Sequence, residues 1–122
     1  MNGVAGLGID LVDVDRFARA LERRPALAGR LFSTNEVTDA QSRPERLAAR
    51  FAVKEAVMKV LDVGLGAVAF QDIVVQRLES GAPVLVVSGT AQALAAAKGI
   101  RTWHVSLTHT DRTAGAVVIG LT

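Results

Sequence analysis

The chain opens on a run that alternates. Over residues 4–12, Ala5, Leu7, Ile9 and Leu11 fall on one face of an extended strand, and Gly6, Gly8 and Asp10 fall on the other. Glycine weakens a strand, so two on one face imply that something large or close passes over them, and Asp10 on that bare face has room for a metal and a phosphate. From residue 13 the period lengthens. Val14, Phe17 and Leu21 line one side of a helix over 13–23, with Asp13 placed to cap it. A connector over 27–32 leads to Ser33-Thr34-Asn35-Glu36, a capping box that starts a short helix. Ser42-Arg43-Pro44 then breaks the chain before a longer helix whose apolar stripe contains Leu47, Phe51 and Met58.

The second half reads mostly as strands. Segments 70–77 and 84–88 flank a hairpin connection over 79–83. Thr90 is placed to cap an alanine-rich helix that ends at Lys98-Gly99. Strands over 101–109 and 114–121 follow, joined through 110–113. In the first of them Trp103, Val105 and Leu107 face one way, while His104, Ser106 and Thr108 form a polar row on the other. A lone strand histidine is more often structural than catalytic, but a row of His, Ser and Thr donors suits an interface or a nucleotide site. The order β-α-α-α-β-β-α-β-β makes this an α+β fold, with helices packed on an antiparallel-rich sheet. At 122 residues the chain is a single domain, 1–122, large enough for a core.

One position breaks the pattern. Glu55 falls inside the Leu47–Phe51–Met58 stripe, and a carboxylate taken out of water costs several kcal/mol unless a cation meets it. Lys59, one turn on, is one candidate partner. A bound cation is the other, and it needs a second hard ligand, which Asp10 supplies. Two carboxylates on apolar elements are consistent with an oxygen-ligated Mg²⁺ site.

Basic residues form two ridges. Arg16, Arg19 and Arg23 recur at three- and four-residue steps on the first helix, and Arg46, Arg50 and Lys54 at four-residue steps on the long one. Either ridge reads as a solvated face. Alternatively, the first is a docking surface for an acidic partner and the second a contact to anionic phosphate, for which guanidinium is well shaped.

Composition removes several function classes. The net charge of +2 is too small to argue nucleic-acid binding, and the absence of cysteine excludes disulfides, thiolate catalysis and zinc-thiolate sites. No apolar run approaches the roughly 18 residues of a membrane span. The start, Met1 to Gly6, lacks a basic flank and a signal-peptide core, so a cytoplasmic chain is expected. No Gly-x-Gly-x-x-Gly or Walker-type motif occurs.

Three blocks carry a resemblance. Gly8-Ile9-Asp10-Leu11-Val12 with Arg16, then Arg50-Phe51-Ala52-Val53-Lys54-Glu55-Ala56 with Lys59, then His104-Val105-Ser106-Leu107-Thr108-His109, together resemble the holo-acyl-carrier-protein synthases. These are the small, trimeric type of 4′-phosphopantetheinyl transferase. The blocks occur in family order, from the first strand to the last. The resemblance implies a phosphopantetheinyl transferase-like fold and a homotrimer with active sites at subunit boundaries. It implies Mg²⁺ on Asp10 and Glu55, and a coenzyme A pocket that takes Arg50, Lys59, the turn at Gly64 and His104. Asp10, Glu55 and Lys59 are the catalytic set it implies. It further implies that an acidic acyl carrier protein, of fatty-acid or polyketide synthesis, docks at Arg16, flanked by Arg19 and Arg23. The chain departs from the family at Lys59-Val60-Leu61-Asp62, where Lys-Ala-Leu-Gly is usual.

The activity so implied is Mg²⁺-dependent transfer of phosphopantetheine from coenzyme A to a carrier-protein serine, releasing adenosine 3′,5′-bisphosphate. A metal-bound water or Glu55 itself serves as the base. Two other readings fit the bare residues. One is a Mg²⁺-dependent enzyme that cleaves a nucleotide diphosphate bond with water. The other is a non-catalytic module that binds an acidic partner, with Glu55 merely paired to Lys59.

Overall fold

A computed structural model describes residues 3–122; the first two residues of the start read above for a leader lie outside the described residues. In chain order the elements are β1 (Val4–Asp13), α1 (Val14–Arg23), α2 (Leu27–Leu31), α3 (Thr34–Asp39), α4 (Pro44–Leu61), β2 (Ile73–Arg77), β3 (Pro83–Val87), α5 (Gly89–Ala97), β4 (Thr102–His109) and β5 (Thr113–Leu121). Strands β1, β5 and β4 form an antiparallel sheet in that order, and β2 pairs with β3 as a separate hairpin. This is the α+β order that the pattern predicts. The connector over 27–32 closes into the five-residue helix α2.

Helix α4 is the axis. Pro44 sits in its first turn, where a missing N–H removes no helical bond, and it ends at Asp62 in the left-handed region (φ 57°, ψ 41°). Its core face is not one stripe. Ala48, Ala49, Ala52 and Ala56 are buried along with Leu47, Val53, Val57 and Met58, because small side chains let neighbours close in around most of the helix. The row Phe51, Glu55, Lys59 is the least covered side, so Glu55 lies at a half-open margin rather than inside a buried stripe.

The close object implied by the two glycines of β1 is α4 itself. A Cβ on Gly8 would stand 2.0 Å from the Ala56 carbonyl oxygen, and one on Gly6 2.9 Å from Val60 Cγ1. Only glycine lets strand and helix backbones meet in this way. The helix therefore fills the room above Gly6 and Gly8, and the open cleft begins at Asp10. The apolar face of β1 is bare, with Leu7, Ile9 and Leu11 63, 59 and 73% exposed. It continues onto β5, where Ile9 pairs with Val117 and Leu7 with Ile119.

Several local expectations shift. The Asp13 cap and the Ser33–Glu36 capping box both form. Residues Phe70–Asp72 wind into a 3-10 turn ahead of β2, since the Asp72 N–H bonds to the Ala69 carbonyl. Helix α5 starts at Gly89 without a Thr90 cap. Gly89, at φ 57°, lies so close to Asp72 that a Cβ would meet Oδ2 at 2.4 Å, and this carboxylate places negative charge at the helix N-terminus.

The largest departure is Lys54. It belongs to no solvated or phosphate-facing ridge, for it is fully buried. Its Nζ donates to Glu36 Oε1 at 2.9 Å, to the Phe70 carbonyl at 3.0 Å and to the Ile73 carbonyl. An ammonium survives burial only with an anion beside it and its three protons used. Glu36 thus does more than cap α3: it also accepts the Val75 N–H, at 3.0 Å.

Candidate active site

The acids expected to share a site do so. Asp10, from the strand face that Gly6 and Gly8 press onto α4, and Glu55, from the helix margin, line one cleft of about 380 Å³ with Arg16, Phe17 and Phe51. Phe51 packs between Phe17 and Phe70, with ring centroids 5.1 and 5.8 Å away, which makes the wall beside Glu55 apolar. Burial pushes the Glu55 carboxyl above its ordinary range, the Asp10 charge pushes it further, and Lys59 pulls it back. A cleft in which burial and a neighbouring carboxylate both oppose the ionisation of Glu55 favours a cation.

Lys59 does not close that requirement by pairing with Glu55. Its Nζ crosses to β1, donating to the Ile9 carbonyl at 2.7 Å and to Asp10 Oδ1 at 3.3 Å. The unusual Asp62 turns away from the cleft. It caps α4 and accepts from Lys98 Nζ at 3.0 Å, tying α4 to α5.

A second cavity, of about 350 Å³, lies between α4, the β2–β3 hairpin and the end of β4. Arg46, Arg50 and Arg77 line it with Ser106, Thr108 and His109, and its lining contains no carboxylate. Arg50 is 6% exposed; its Nη1 donates to the Arg46 carbonyl at 3.2 Å, and its buried Nε has no partner among the described residues. Burial holds this guanidinium below its ordinary range, against the opposing pull of Glu36 and Asp39. Three guanidinium groups, one with an unused buried donor, suit a phosphate dianion.

The residues expected in one coenzyme A pocket are thus divided. Arg50 and Glu55 are five residues apart on α4, which places them about 140° apart around the axis. Asp10, Glu55, Lys59 and Arg16 are on one side, Arg50 on the other. His104 stands exposed on the outer sheet face opposite Ile119, in line with Ser106 and Thr108 at the rim of the second cavity. Gly64 is exposed in the loop after α4. Arg19 and Arg23 are exposed along α1, and of that ridge only Arg16 reaches the acid cleft. Arg77 escaped the sequence reading because it ends a short strand with no motif around it. His109 had no assigned role.

Over residues 6–118 the chain matches the 4′-phosphopantetheinyl transferase superfamily. It belongs to that superfamily. It is 50% identical to the holo-[acyl-carrier-protein] synthase of Frankia casuarinae, with 98% of each chain covered. It is 48% identical to the one from Streptomyces griseus, covering 95% of this chain and 97% of the relative. Among solved structures, the Helicobacter pylori holo-[acyl-carrier-protein] synthase in complex with coenzyme A superposes with a TM-score of 0.84. It is 28% identical, and the match covers 93% of this chain and 98% of that one. The Mycobacterium tuberculosis acyl carrier protein synthase gives a TM-score of 0.74 at 35% identity, with 98% of each chain covered. The resemblance read from three short blocks is borne out, as are the fold and the assignment to an enzyme family.

Proposed function

We propose that this phosphopantetheinyl transferase acts on coenzyme A and an apo-acyl carrier protein, as the names of its relatives indicate for them. The observation that carries the reading is the acid cleft: two carboxylates and a lysine on one apolar wall, with Arg16 at the rim. Asp10 and Glu55 are the hard oxygen ligands that fit Mg²⁺, an ion that takes few protein carboxylates and fills its remaining positions with water and substrate phosphates. Bound there, Mg²⁺ would supply charge neutralisation at the pyrophosphate.

The chain's own residues do the rest. Lys59 places an ammonium at the same carboxylate and so lies beside any pyrophosphate that approaches it. The carrier serine oxygen attacks the β-phosphorus, and the bond to the bridging oxygen breaks. Adenosine 3′,5′-bisphosphate leaves with the electron pair. The hydroxyl proton passes to water or to the Glu55 carboxylate. Such a transfer needs positioning and charge stabilisation, not a covalent nucleophile on the enzyme. Arg16, Arg19 and Arg23 offer an acidic carrier a positive approach to the cleft.

The division of the site across α4 supports a shared active site. The Arg50 cavity of one subunit would hold the phosphorylated nucleotide end of coenzyme A, with His104 beyond its rim in line with Ser106. The acid cleft of the next subunit would hold its pyrophosphate. The bare face formed by Leu7, Ile9, Leu11 and Val117 supplies an apolar surface for such contact, and the assembly is a homotrimer by family resemblance. A cytoplasmic location fits these substrates; no helix among the described residues is long and apolar enough to cross a membrane. The test is the intact mass of an apo-acyl carrier protein incubated with enzyme, coenzyme A and Mg²⁺. A gain of one phosphopantetheine is expected. An unchanged carrier with coenzyme A cleaved would replace the transferase by a hydrolase.

A further inference from the structure

Lys54 precedes Glu55 in the chain, yet it takes no part in the acid cleft. It lies one helical turn after Arg50, on the side of α4 that meets the hairpin and its leading turn. Three elements converge on its ammonium: α3 through Glu36, the 3-10 turn through the Phe70 carbonyl, and β2 through the Ile73 carbonyl. Glu36 completes the node by accepting the N–H groups of Ser33 and Val75. Every donor of Lys54 and both oxygens of Glu36 are engaged.

The node lies behind the guanidinium cavity. Arg46 and Arg50 form the α4 wall of that cavity, and Val75, Arg77 and Gly81 belong to the hairpin wall. Val75 is therefore both a wall residue and a direct partner of Glu36. Lys54 fixes the helix wall to the same strand through the Ile73 carbonyl. A buried ion pair stabilises a fold no better than apolar side chains of equal volume, so energy alone does not account for this one. Its bonds do specify a single arrangement of turn, strand and helix.

We infer that Lys54 and Glu36 are positioning residues for coenzyme A: the buried pair sets the hairpin against α4 and so fixes the spacing of Arg50 and Arg77 across the cavity. This rests on the reading of that cavity as the site for the nucleotide phosphate. The acid cleft lies elsewhere around α4, so the pair acts on one substrate and not on the other.

The test compares Lys54→Arg and Lys54→Met with Arg50→Gln, measuring the melting temperature and the KM for each substrate. Lys54→Arg keeps the charge beside Glu36 but changes its reach, so it decides the matter even where Lys54→Met does not fold. The expected result is a folded Lys54→Arg enzyme whose KM for coenzyme A rises about tenfold, while its KM for carrier protein stays within about twofold. A merely structural role lowers the melting temperature and the amount of active enzyme but leaves both KM values unchanged, and that result overturns the inference. Equal increases in both KM values also overturn it. An unchanged KM for coenzyme A in Arg50→Gln would remove the cavity from substrate binding, and the inference with it. A raised KM in Arg50→Gln beside a normal one in Lys54→Arg overturns the inference alone.

Discussion

The two sides of α4 are opposites in charge and alike in unmet need. Toward β1 and α1, Asp10 and Glu55 share a half-open cleft in which burial and mutual repulsion push the Glu55 carboxyl up. Toward the hairpin and β4, Arg50 is held below its ordinary range by burial, and its Nε has no partner among the described residues. A cation would relieve the first side and a phosphate the second. A metal-bound pyrophosphate joined to a phosphorylated nucleotide carries both kinds of group, yet the helix stands between the two sides. Under the proposed shared site, residues of one sequence block would serve different copies of that site.

The acid side should be the harder to alter. Asp10→Asn and Glu55→Gln keep size and remove a charged oxygen, so transfer and Mg²⁺ affinity should fall together. A loss of about 3 kcal/mol of transition-state stabilisation corresponds to roughly a hundredfold in kcat/KM. Near-normal kcat/KM at limiting Mg²⁺ in either variant would remove that residue from the site.

Lys59→Met comes next. Its contacts are to Asp10 and the Ile9 carbonyl from a half-exposed position, so the fold should lose little. If the ammonium faces the pyrophosphate, kcat or the KM for coenzyme A worsens by about tenfold, the scale of one charge-assisted hydrogen bond. Kinetics equal to those of the parent enzyme would leave Lys59 as a strand-to-helix tie and nothing more.

Smaller again is the effect of the α1 ridge. Arg16→Glu should raise the KM for carrier protein and flatten its salt dependence, since exposed charges are screened beyond roughly 8–10 Å at physiological salt. The KM for coenzyme A should hold. A reversed charge that leaves carrier modification normal at low salt would make the ridge a solvated face.

The least of these effects is on stability. The folded pKa of Glu55 lies above its unfolded value, so its protonated form favours the folded state, and that contribution is lost as pH rises through the folded pKa. Without metal, Glu55→Gln should therefore melt higher than the parent above the ordinary carboxylate range and show a flatter dependence on pH. Melting curves with and without Mg²⁺ check this: the ion should raise the parent's midpoint and leave the variant's in place.

Much of this arrangement was legible in the chain. The alternation around Gly6, Gly8 and Asp10, the capping box and the order of elements depend on local periodicity, which sequence displays directly. The partners of α4 were not legible in the same way. Helical spacing aligned Lys54 with Arg46 and Arg50, but its burial depends on Glu36, 18 residues earlier, and on carbonyls from the turn and strand that follow. The stripe around Glu55 is a half-open margin instead, because buried alanines make most of α4 a core surface, and periodicity in larger side chains does not register them. The separation of Arg50 from Glu55 follows from helix geometry, but its consequence emerged only when the two cavities stood on opposite sides.

The proposed active site draws on both sides of α4 from different subunits. Mixing Asp10→Asn chains with Arg50→Gln chains, each impaired alone, tests it most directly. Unfolding and refolding the two together is expected to restore transfer well above the sum of the separate variants, because some boundaries then join an intact acid cleft to an intact guanidinium cavity. Activity no greater than that sum, in assemblies shown to contain both chains, would contradict a site shared between subunits.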